Sequence, residues 1–280
     1  MSEPALTDFK VIIFDCYGTL ADWETGIFNA LQPLLARFPS SAQWSRKEAL
    51  LAFTEIEKDL QRKDPGMLYC DLLSNAHAVL AEGLRDNDVP AASLKSLDNH
   101  TDFGQSIKDW PIFPDTCDAL RDLQKHYKLV ILSNVDHNSF ASTHAKLSQD
   151  TSHPSLYARP LLDANAQWLP QNTPDSRSPF SLILTAQDTG AYKPDPRGML
   201  FALDIIQKQF GIGKEQVLVV AQSLYHDVEP SSKLDVHSVW INRQGACMGL
   251  ETLGESPKWL KSFETLGEMA EAVKAEKPEA

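Results

Sequence analysis

Paired cysteines, long apolar runs and excess positive charge are all lacking in this sequence of 280 residues. The four cysteines are widely scattered and form no C-x-x-C pair, so we predict reduced thiols rather than a disulfide framework. No apolar run approaches the ~20 residues that a membrane-spanning helix needs. The first residues also lack the basic and apolar regions of a secretory signal. We therefore predict a cytoplasmic protein that does not enter a membrane.

Basic residues are outnumbered, with 26 Lys and Arg against 38 Asp and Glu and a formal net charge of -12. This balance argues against nucleic acid or an anionic membrane surface as a partner. A small anionic substrate would have to be attracted by a local cationic side chain. The sequence also has no H-E-x-x-H or G-x-S-x-G segment, and residues 211–214 lack the spacing of a phosphate-binding loop. Zinc protease, serine hydrolase and P-loop functions are therefore not supported.

Short apolar runs rich in β-branched residues recur along the chain, with helical stretches between most of them. Strands that are apolar throughout are typical of a parallel sheet covered on both faces. Strands that alternate with helices imply right-handed crossovers. We therefore predict an α/β fold with a doubly wound, Rossmann-like parallel sheet. The predicted strands are residues 11–14, 129–132, 182–185, 217–221 and 238–241.

Two segments depart from this alternation. Between the first two strands the apolar residues recur with helical spacing and no strand is evident, until Pro111 and Pro114 interrupt helix formation. We predict a core domain of residues 1–23 and 110–280 and a helical cap subdomain of residues 24–109. The second segment, residues 148–180, is rich in Pro, Asn and Ser. We predict a long loop there, functional or mobile, with one short helix over residues 161–168.

Polar residues follow several of the predicted strands closely. Ligands of open parallel sheets bind at the carboxyl ends of the strands, so we expect these side chains to converge on one site. Asp15 is then a candidate nucleophile, and a nearby Lys193 would keep its carboxylate ionised. Thr19 and Ser133 can donate hydrogen bonds to an anion. Asp227 can position or deprotonate a water. The residues expected to converge are Asp15, Ser133, Asn134, Lys193 and Asp227.

Each candidate also has a structural interpretation. An Asp after a strand often closes a turn, and Ser133 with Asn134 could cap the following helix. Asp227 could complement a helix dipole, and the Thr19 hydroxyl could close its turn. His226 is expected to be an ordinary histidine rather than a base. The Cys16 side chain is expected to point away from Asp15.

The motifs and their order resemble those of the haloacid dehalogenase superfamily, and most closely its L-2-haloacid dehalogenase branch. The resemblance covers most of the chain and implies the superfamily's α/β core with a helical cap. It rests on Phe14-Asp15-Cys16-Tyr17-Gly18-Thr19-Leu20, Leu132-Ser133-Asn134, Tyr192-Lys193-Pro194-Asp195-Pro196, and Asp227 followed by Val239-Trp240-Ile241-Asn242-Arg243.

Tyr17 directs the resemblance towards dehalogenation. Phosphatases of the superfamily generally carry a second Asp at that place, which protonates the leaving alcohol, whereas a halide leaves without a proton. The resemblance therefore implies that Asp15 displaces halide from C2 of a 2-haloalkanoate. Water activated near Asp227 would then hydrolyse the ester to a 2-hydroxy acid, with no metal or organic cofactor. The implied substrate-binding residues are Thr19, Tyr17, Arg46, Ser133, Asn134 and Ser223.

Some positions depart from the dehalogenase pattern. Arg46 is one residue away from the family's Trp-Arg pair. Met199 replaces a Tyr, and Gln222 and Leu224 replace a Ser and a water-positioning Asn, while Ser223 is retained. A Mg²⁺-dependent phosphatase, with Asp15 and Asp227 as ligands, is therefore one alternative. A protein that keeps the fold without turnover is another. Members of the branch are often dimers, so a homodimer is left open.

Overall fold

The computed structural model describes residues 3–88, 99–160, 166–250 and 258–276. These residues divide into two compact units. One contains the chain up to Asp22 together with the chain from Ile112 onward, and the other is Trp23–Pro111. No helix among the described residues combines the length and the apolar character that crossing a membrane requires.

A six-stranded sheet forms the centre of the first unit, and every neighbouring pair of strands is parallel. The strand order is β3-β2-β1-β4-β5-β6. The predicted doubly wound α/β fold is thus confirmed, with a sixth strand that the sequence did not indicate. The strands are β1 (Val11–Phe14), β2 (Lys128–Ser133), β3 (Phe180–Thr185), β4 (Val217–Ala221), β5 (His237–Ile241) and β6 (Lys261–Phe263).

The order of the strands determines where a ligand would bind. From β1 the sheet grows through β2 to β3, and the chain then returns to place β4 on the other side of β1. The connections therefore change direction between β1 and β4, and ligands of such sheets bind at the carboxyl ends of the strands near this point. The helices of this unit are α5 (Thr116–Leu123), α6 (His137–Leu147), α7 (Ala186–Thr189), α8 (Pro196–Phe210), α9 (Glu229–Lys233) and α10 (Leu266–Glu276).

Helix α8 shows how the core is built on one face of the sheet. The Asp195 side chain accepts a hydrogen bond from the Arg197 amide at its start, and Gly211 ends it in a left-handed conformation with φ 69°. The buried side of α8 packs against β-branched residues of the strands. Met199 belongs to this buried cluster, so its departure from the dehalogenase pattern is accommodated as an apolar core residue.

The described residues of the second unit form helices joined by turns, with no strand among them. Helix α2 begins at a capping box, in which the Ser45 hydroxyl accepts from the Glu48 amide and the Glu48 carboxylate accepts from the Ser45 amide. Gly26 in α1 lies against Trp110 so closely that a Cβ would come within 2.3 Å of the ring. Only glycine allows this packing. The helices are α1 (Trp23–Leu35), α2 (Arg46–Lys63), α3 (Tyr69–Asp88) and α4 (His100–Gly104).

The predicted long loop, residues 148–180, contains two single-turn 3₁₀ helices, Pro154–Tyr157 and Pro170–Asn172. Of the helix predicted over residues 161–168, positions 161–165 lie outside the described residues. The described remainder is not helical, because Trp168 pairs with Ile183 in an isolated β-bridge. The prediction of a helix is therefore wrong for that part, where pairing with β3 replaces helical hydrogen bonds.

His144 of α6 connects residues 148–180 to the core through hydrogen bonds of both ring nitrogens. Its Nδ1 lies 2.9 Å from the Tyr157 carbonyl oxygen and its Nε2 lies 2.7 Å from Ser178 Oγ. The Tyr157 carbonyl can only accept a hydrogen bond, so Nδ1 carries the proton and Nε2 accepts from the Ser178 hydroxyl. Burial lowers the pKa of His144 from 6.5 to about 4, although its bond to Tyr157 opposes that shift. The ring is therefore neutral at physiological pH.

We expect this histidine to make the fold sensitive to acid. The unfolded chain takes up a proton at His144 near pH 6.5 and the folded chain only near pH 4. The free energy of unfolding therefore falls as the pH is lowered through this window, by about 3 kcal/mol from this residue. Denaturant unfolding measures how much the free energy of unfolding falls between pH 7 and pH 4. This fall should be smaller in His144→Asn than in wild type by the amount given above. The control is His237→Asn, at an exposed histidine, which should show the wild-type fall. A fall in His144→Asn equal to that of wild type would contradict the assignment.

Candidate active site

Asp15 follows β1 directly and is held by two donors. Its Oδ1 accepts a hydrogen bond from Lys193 Nζ at 2.8 Å, and its Oδ2 accepts from Thr19 Oγ1 at 2.7 Å. The Asp15 side chain is 10% exposed, so it is nearly removed from bulk water. A buried carboxylate held from both sides has a fixed orientation, as a nucleophile in a substitution reaction requires.

The turn that follows Asp15 explains why Thr19 reaches it. The Cys16 carbonyl accepts from the amides of Thr19, Leu20 and Ala21 at 3.3, 2.7 and 3.0 Å. Gly18 has φ 103°, which residues with a Cβ rarely adopt. We call residues 16–21 the nucleophile turn. It folds the Thr19 hydroxyl back over the Asp15 carboxylate.

Lys193 joins the two carboxylates of the site. Its three N–H donors are used by Asp15 Oδ1 at 2.8 Å, Asp227 Oδ1 at 2.7 Å and the Leu132 carbonyl at 2.9 Å. Burial alone would lower the pKa of Lys193, but the two carboxylates outweigh it and hold the pKa above its ordinary value. The side chain is thus a permanent ammonium group. The structure brings together Asp15, Lys193 and Asp227, which the sequence predicted to be catalytic.

The Asn134 side chain positions Lys193 through the main chain. Its Nδ2 donates to the Lys193 carbonyl at 3.0 Å, and its Oδ1 accepts from the Lys193 amide at 2.7 Å. This paired contact links the end of β2 to the segment before α8. The sequence predicted that Asn134 contacts an anion. The contacts of its amide show a positioning role, and contact with a substrate stays a prediction.

Asp227 lies in a π-helical turn, Leu224–Val228, just after β4. Burial raises the pKa of its carboxyl, which the charge of Lys193 opposes and the charge of Asp15 reinforces. Its Oδ1 is bound to Lys193. Its Oδ2 is buried and has no hydrogen-bond partner among the described residues. A buried carboxylate oxygen without a partner is costly, so Oδ2 is suited to hold or deprotonate a water.

Ser133, the last residue of β2, presents a second buried polar atom. Within the described ranges its Oγ has no hydrogen-bond partner. It follows Leu132, whose carbonyl binds Lys193 Nζ, so it lies at the same edge of the sheet as the two carboxylates. A free hydroxyl donor there is consistent with the predicted contact to an anion.

Gln222 and Ser223, which follow β4, make hydrogen bonds within the protein. The Gln222 amide donates to Thr19 Oγ1 at 2.9 Å, and its side-chain Nε2 donates to the Met248 carbonyl at 2.9 Å. The Ser223 hydroxyl accepts from the His226 amide at 3.0 Å and also lies 3.1 Å from His226 Nδ1. Ser223 thus caps the turn that carries Asp227. Its predicted contact with substrate stays a prediction.

Tyr17 stands where a second carboxylate would supply an acid. Its hydroxyl lies 2.9 Å from Thr143 Oγ1. Burial raises the pKa of the Tyr17 phenol well above its ordinary value, so the residue is neutral. Burial likewise raises the pKa of the Cys16 thiol, so this cysteine stays protonated. Because their pKa values are raised, both side chains are poorer proton donors to a leaving alcohol than an aspartic acid would be.

Arg46 belongs to the helical unit. Within that unit its Nη1 donates to Thr25 Oγ1 at 2.9 Å, and its Nη2 lies 3.4 Å from Glu24 Oε2. The side chain is therefore held by neighbours from the start of α1. Its predicted contact with the substrate stays a prediction.

Asp15 and Asp227 are the carboxylates of the site that a divalent cation could use as ligands. Among the described residues, no group of three or more His, Cys, Asp or Glu side chains is arranged to hold a metal ion. Asp15 and Asp227 are two carboxylates, and each already gives its Oδ1 to the Lys193 ammonium. Mg²⁺ prefers six oxygen ligands in octahedral geometry. Waters usually complete this shell, so one or two carboxylates can hold the ion, and a Mg²⁺ here would compete with the Lys193 ammonium for Asp15 and Asp227.

Three solved structures illustrate what the fold is similar to. An L-2-haloacid dehalogenase from Xanthobacter autotrophicus is 16% identical, with a TM-score of 0.62 over 95% of this chain and 98% of that one. A defluorinating L-2-haloacid dehalogenase is 17% identical, with a TM-score of 0.62 over 96% and 98%. A putative HAD-hydrolase from Bacillus subtilis, bound to magnesium, is 14% identical, with a TM-score of 0.61 over 95% and 99%. At these identities the likeness establishes the fold.

The family is established by a match to the sequence itself. No curated protein sequence matches the chain. The model of the haloacid dehalogenase-like hydrolase family, however, matches residues 9–229. The matched range includes β1 with Asp15, the end of β2, Lys193 and Asp227, which are the elements that form the site. The chain therefore belongs to the haloacid dehalogenase-like hydrolases.

Proposed function

We propose that this hydrolase cleaves the carbon–halogen bond of a small 2-haloalkanoate and forms a 2-hydroxy acid through an ester on Asp15. The observation that carries the proposal is a buried, doubly held carboxylate beside a permanent ammonium, with the neutral Tyr17 where an acid would be needed for an alcohol leaving group. Halide departs as an anion and requires no proton. The site therefore suits a halide leaving group better than the alcohol that leaves from a phosphate ester.

In the first step an oxygen of Asp15 attacks C2 of the substrate from the side opposite the halogen. The new C–O bond forms as the C–X bond breaks, the halide leaves with the bonding electron pair, and the configuration at C2 inverts. Lys193 keeps Asp15 ionised and oriented. The unpartnered Ser133 hydroxyl is available to donate to an oxygen of the substrate carboxylate or to the halide.

In the second step a water attacks the carbonyl carbon of the Asp15 ester. The Asp227 carboxylate accepts the proton of the water, and Lys193 stabilises the negative charge that develops on the ester oxygen. The tetrahedral intermediate collapses to the Asp15 carboxyl group and the alkoxide of the product. The proton of this carboxyl passes to the alkoxide, which leaves the Asp15 carboxylate and the 2-hydroxy acid, and Asp227 releases its proton to solvent. The hydroxyl oxygen of the 2-hydroxy acid therefore comes from Asp15, and a water oxygen enters the enzyme.

Chloride release tests this function. The protein is incubated with each enantiomer of 2-chloropropionate, and with chloroacetate and bromoacetate, in the presence and absence of EDTA. We expect halide from at least one of these substrates, with no effect of EDTA because the proposed steps use no metal or organic cofactor. Absence of halide from all of them would refute the proposal.

A Mg²⁺-dependent phosphatase is the second candidate function. The observation that favours it is the unpartnered Oδ2 of Asp227, since a carboxylate oxygen is a ligand that Mg²⁺ accepts. Turnover of a panel of phosphomonoesters that requires magnesium and stops with EDTA would establish this function instead. If neither assay shows turnover, the remaining alternative is a protein that keeps the fold for binding.

A further inference from the structure

We propose that Arg243 is a positioning residue for the nucleophile and acts on Asp15 through the backbone carbonyl of Thr19. Arg243 ends the segment Val239-Trp240-Ile241-Asn242-Arg243, and the resemblance to the family implies no role for it. The effect on turnover rests on the proposed function, whereas the effect on the nucleophile turn does not.

Arg243 binds the nucleophile turn at the backbone carbonyl of Thr19. It follows β5 and is 6% exposed. Its Nε and Nη2 both donate to the Thr19 carbonyl oxygen, at 3.2 and 2.8 Å. The hydroxyl of the same threonine donates to Asp15 Oδ2 at 2.7 Å. Thr19 therefore links the guanidinium group to the Asp15 carboxylate, with its backbone carbonyl bound to Arg243 and its hydroxyl bound to Asp15.

The guanidinium group is itself fixed from other directions. Its Nη1 donates to Asp115 Oδ1 at 2.7 Å, and Asp115 Oδ2 accepts from the Gly267 amide at 3.1 Å. Although burial alone would raise it, Arg243 and the Gly267 amide together hold the pKa of Asp115 below its ordinary value. The cation also lies over the Phe113 ring, 4.1 Å from its centroid. Arg243 is thus a rigid support, bound to Asp115 at the start of α5, and Asp115 in turn binds the start of α10.

The planar guanidinium group, whose N–H donors form a fork, explains why an arginine is needed here. Nε and Nη2 converge on one carbonyl while Nη1 reaches a carboxylate in a different direction. A lysine ammonium can supply charge but cannot span both acceptors with one planar group. Loss of the fork would leave the Thr19 carbonyl and the Asp115 carboxylate without these donors. The nucleophile turn could then shift, and a small misplacement of a reacting group is enough to slow a substitution reaction strongly.

Steady-state kinetics of Arg243→Ala and Arg243→Lys provide the activity test. We expect the kcat for halide release to fall roughly 10- to 100-fold while KM changes less than about twofold, because substrate contacts remain. Guanidinium ion at millimolar concentration should restore part of the kcat of Arg243→Ala, and ammonium should not. Arg159 is the matched control, since it is an arginine with 13% of its side chain exposed, paired with Asp188, and it does not touch the nucleophile turn. A loss in Arg159→Ala equal to that in Arg243→Ala, with no rescue, would overturn the proposal.

Hydrogen exchange of the free enzyme separates this proposal from the proposed function. We expect the amides of residues 19–21, all bonded to the Cys16 carbonyl, to exchange at least about tenfold faster in Arg243→Ala and Arg243→Lys, corresponding to about 1.4 kcal/mol. Amides of β5 should be unaffected. If wild-type protein releases no halide, the proposed function fails and this measurement alone decides the role of Arg243. Unchanged exchange in either folded variant would overturn the positioning role.

Discussion

Asp15→Asn is expected to lose halide release by roughly 10⁴-fold or more. An amide nitrogen has no lone pair available for attack, and the amide oxygen is a far weaker nucleophile than a carboxylate. The substitution preserves the size of the side chain and removes one of the two charges that Lys193 compensates. Chloride or bromide release under saturating substrate measures the loss.

The matched control is Asp204→Asn, which removes a carboxylate paired with Lys208 on the exposed side of α8. We expect this variant to retain wild-type turnover, because surface ion pairs contribute little. Circular dichroism should show both variants folded. If folded Asp15→Asn kept even a tenth of wild-type activity, another group would have to be the nucleophile.

Replacing Lys193 by Met should have the second largest effect, on both activity and stability. The change removes the one hydrogen-bond partner that the buried Asp227 carboxylate has among the described residues. Removal of one partner from a buried ion pair typically costs about 3–5 kcal/mol. We also expect turnover to fall at least about 100-fold, because the orientation and charge compensation of Asp15 are lost.

The pH dependence of this variant tests the cause of the destabilisation. Without the ammonium group, burial holds the pKa of Asp227 further above the value in the unfolded chain. The folded state then binds more protons, so the free energy of unfolding falls as the pH rises above the carboxyl pKa of the unfolded chain. Lys193→Met should therefore recover stability relative to wild type when the pH is lowered from 7 to 5. Lys208→Met, at an exposed ion pair, should not, and a pH-independent deficit in Lys193→Met would contradict the assignment.

The sheet was largely predictable because its strands are short and apolar throughout. Each run between turn-forming residues became a strand with both faces covered, as the burial of β1 and β4 illustrates. Strand β6 was missed for the opposite reason. Its three residues, Lys261–Phe263, include a charged and a polar side chain and lie at the edge of the sheet, so no apolar pattern indicates it.

The convergence of Asp15, Lys193 and Asp227 was predictable from the sequence, but their hydrogen-bond partners were not. Asp15, Lys193 and Asp227 each follow a strand of the parallel sheet. They lie at the same edge of the sheet because the carboxyl ends of parallel strands lie together. The partners of Asn134 and Arg243 depend on how distant segments meet. The Asn134 amide binds a backbone 59 residues away, and the Arg243 fork binds one 224 residues away. The one signal that could have indicated Arg243 is a cation directly after a buried strand, where an unpaired charge would be costly.

A single turnover in H₂¹⁸O tests the central claim most directly. Enzyme in excess over 2-chloropropionate is allowed to react once, and both the peptide containing Asp15 and the 2-hydroxy acid are analysed by mass spectrometry. We predict one ¹⁸O atom in the Asp15 carboxylate and unlabelled oxygen at the product hydroxyl, because the ester transfers an enzyme oxygen to the substrate. Label in the product hydroxyl with none in Asp15 would mean that water attacks C2 directly, and would contradict the account.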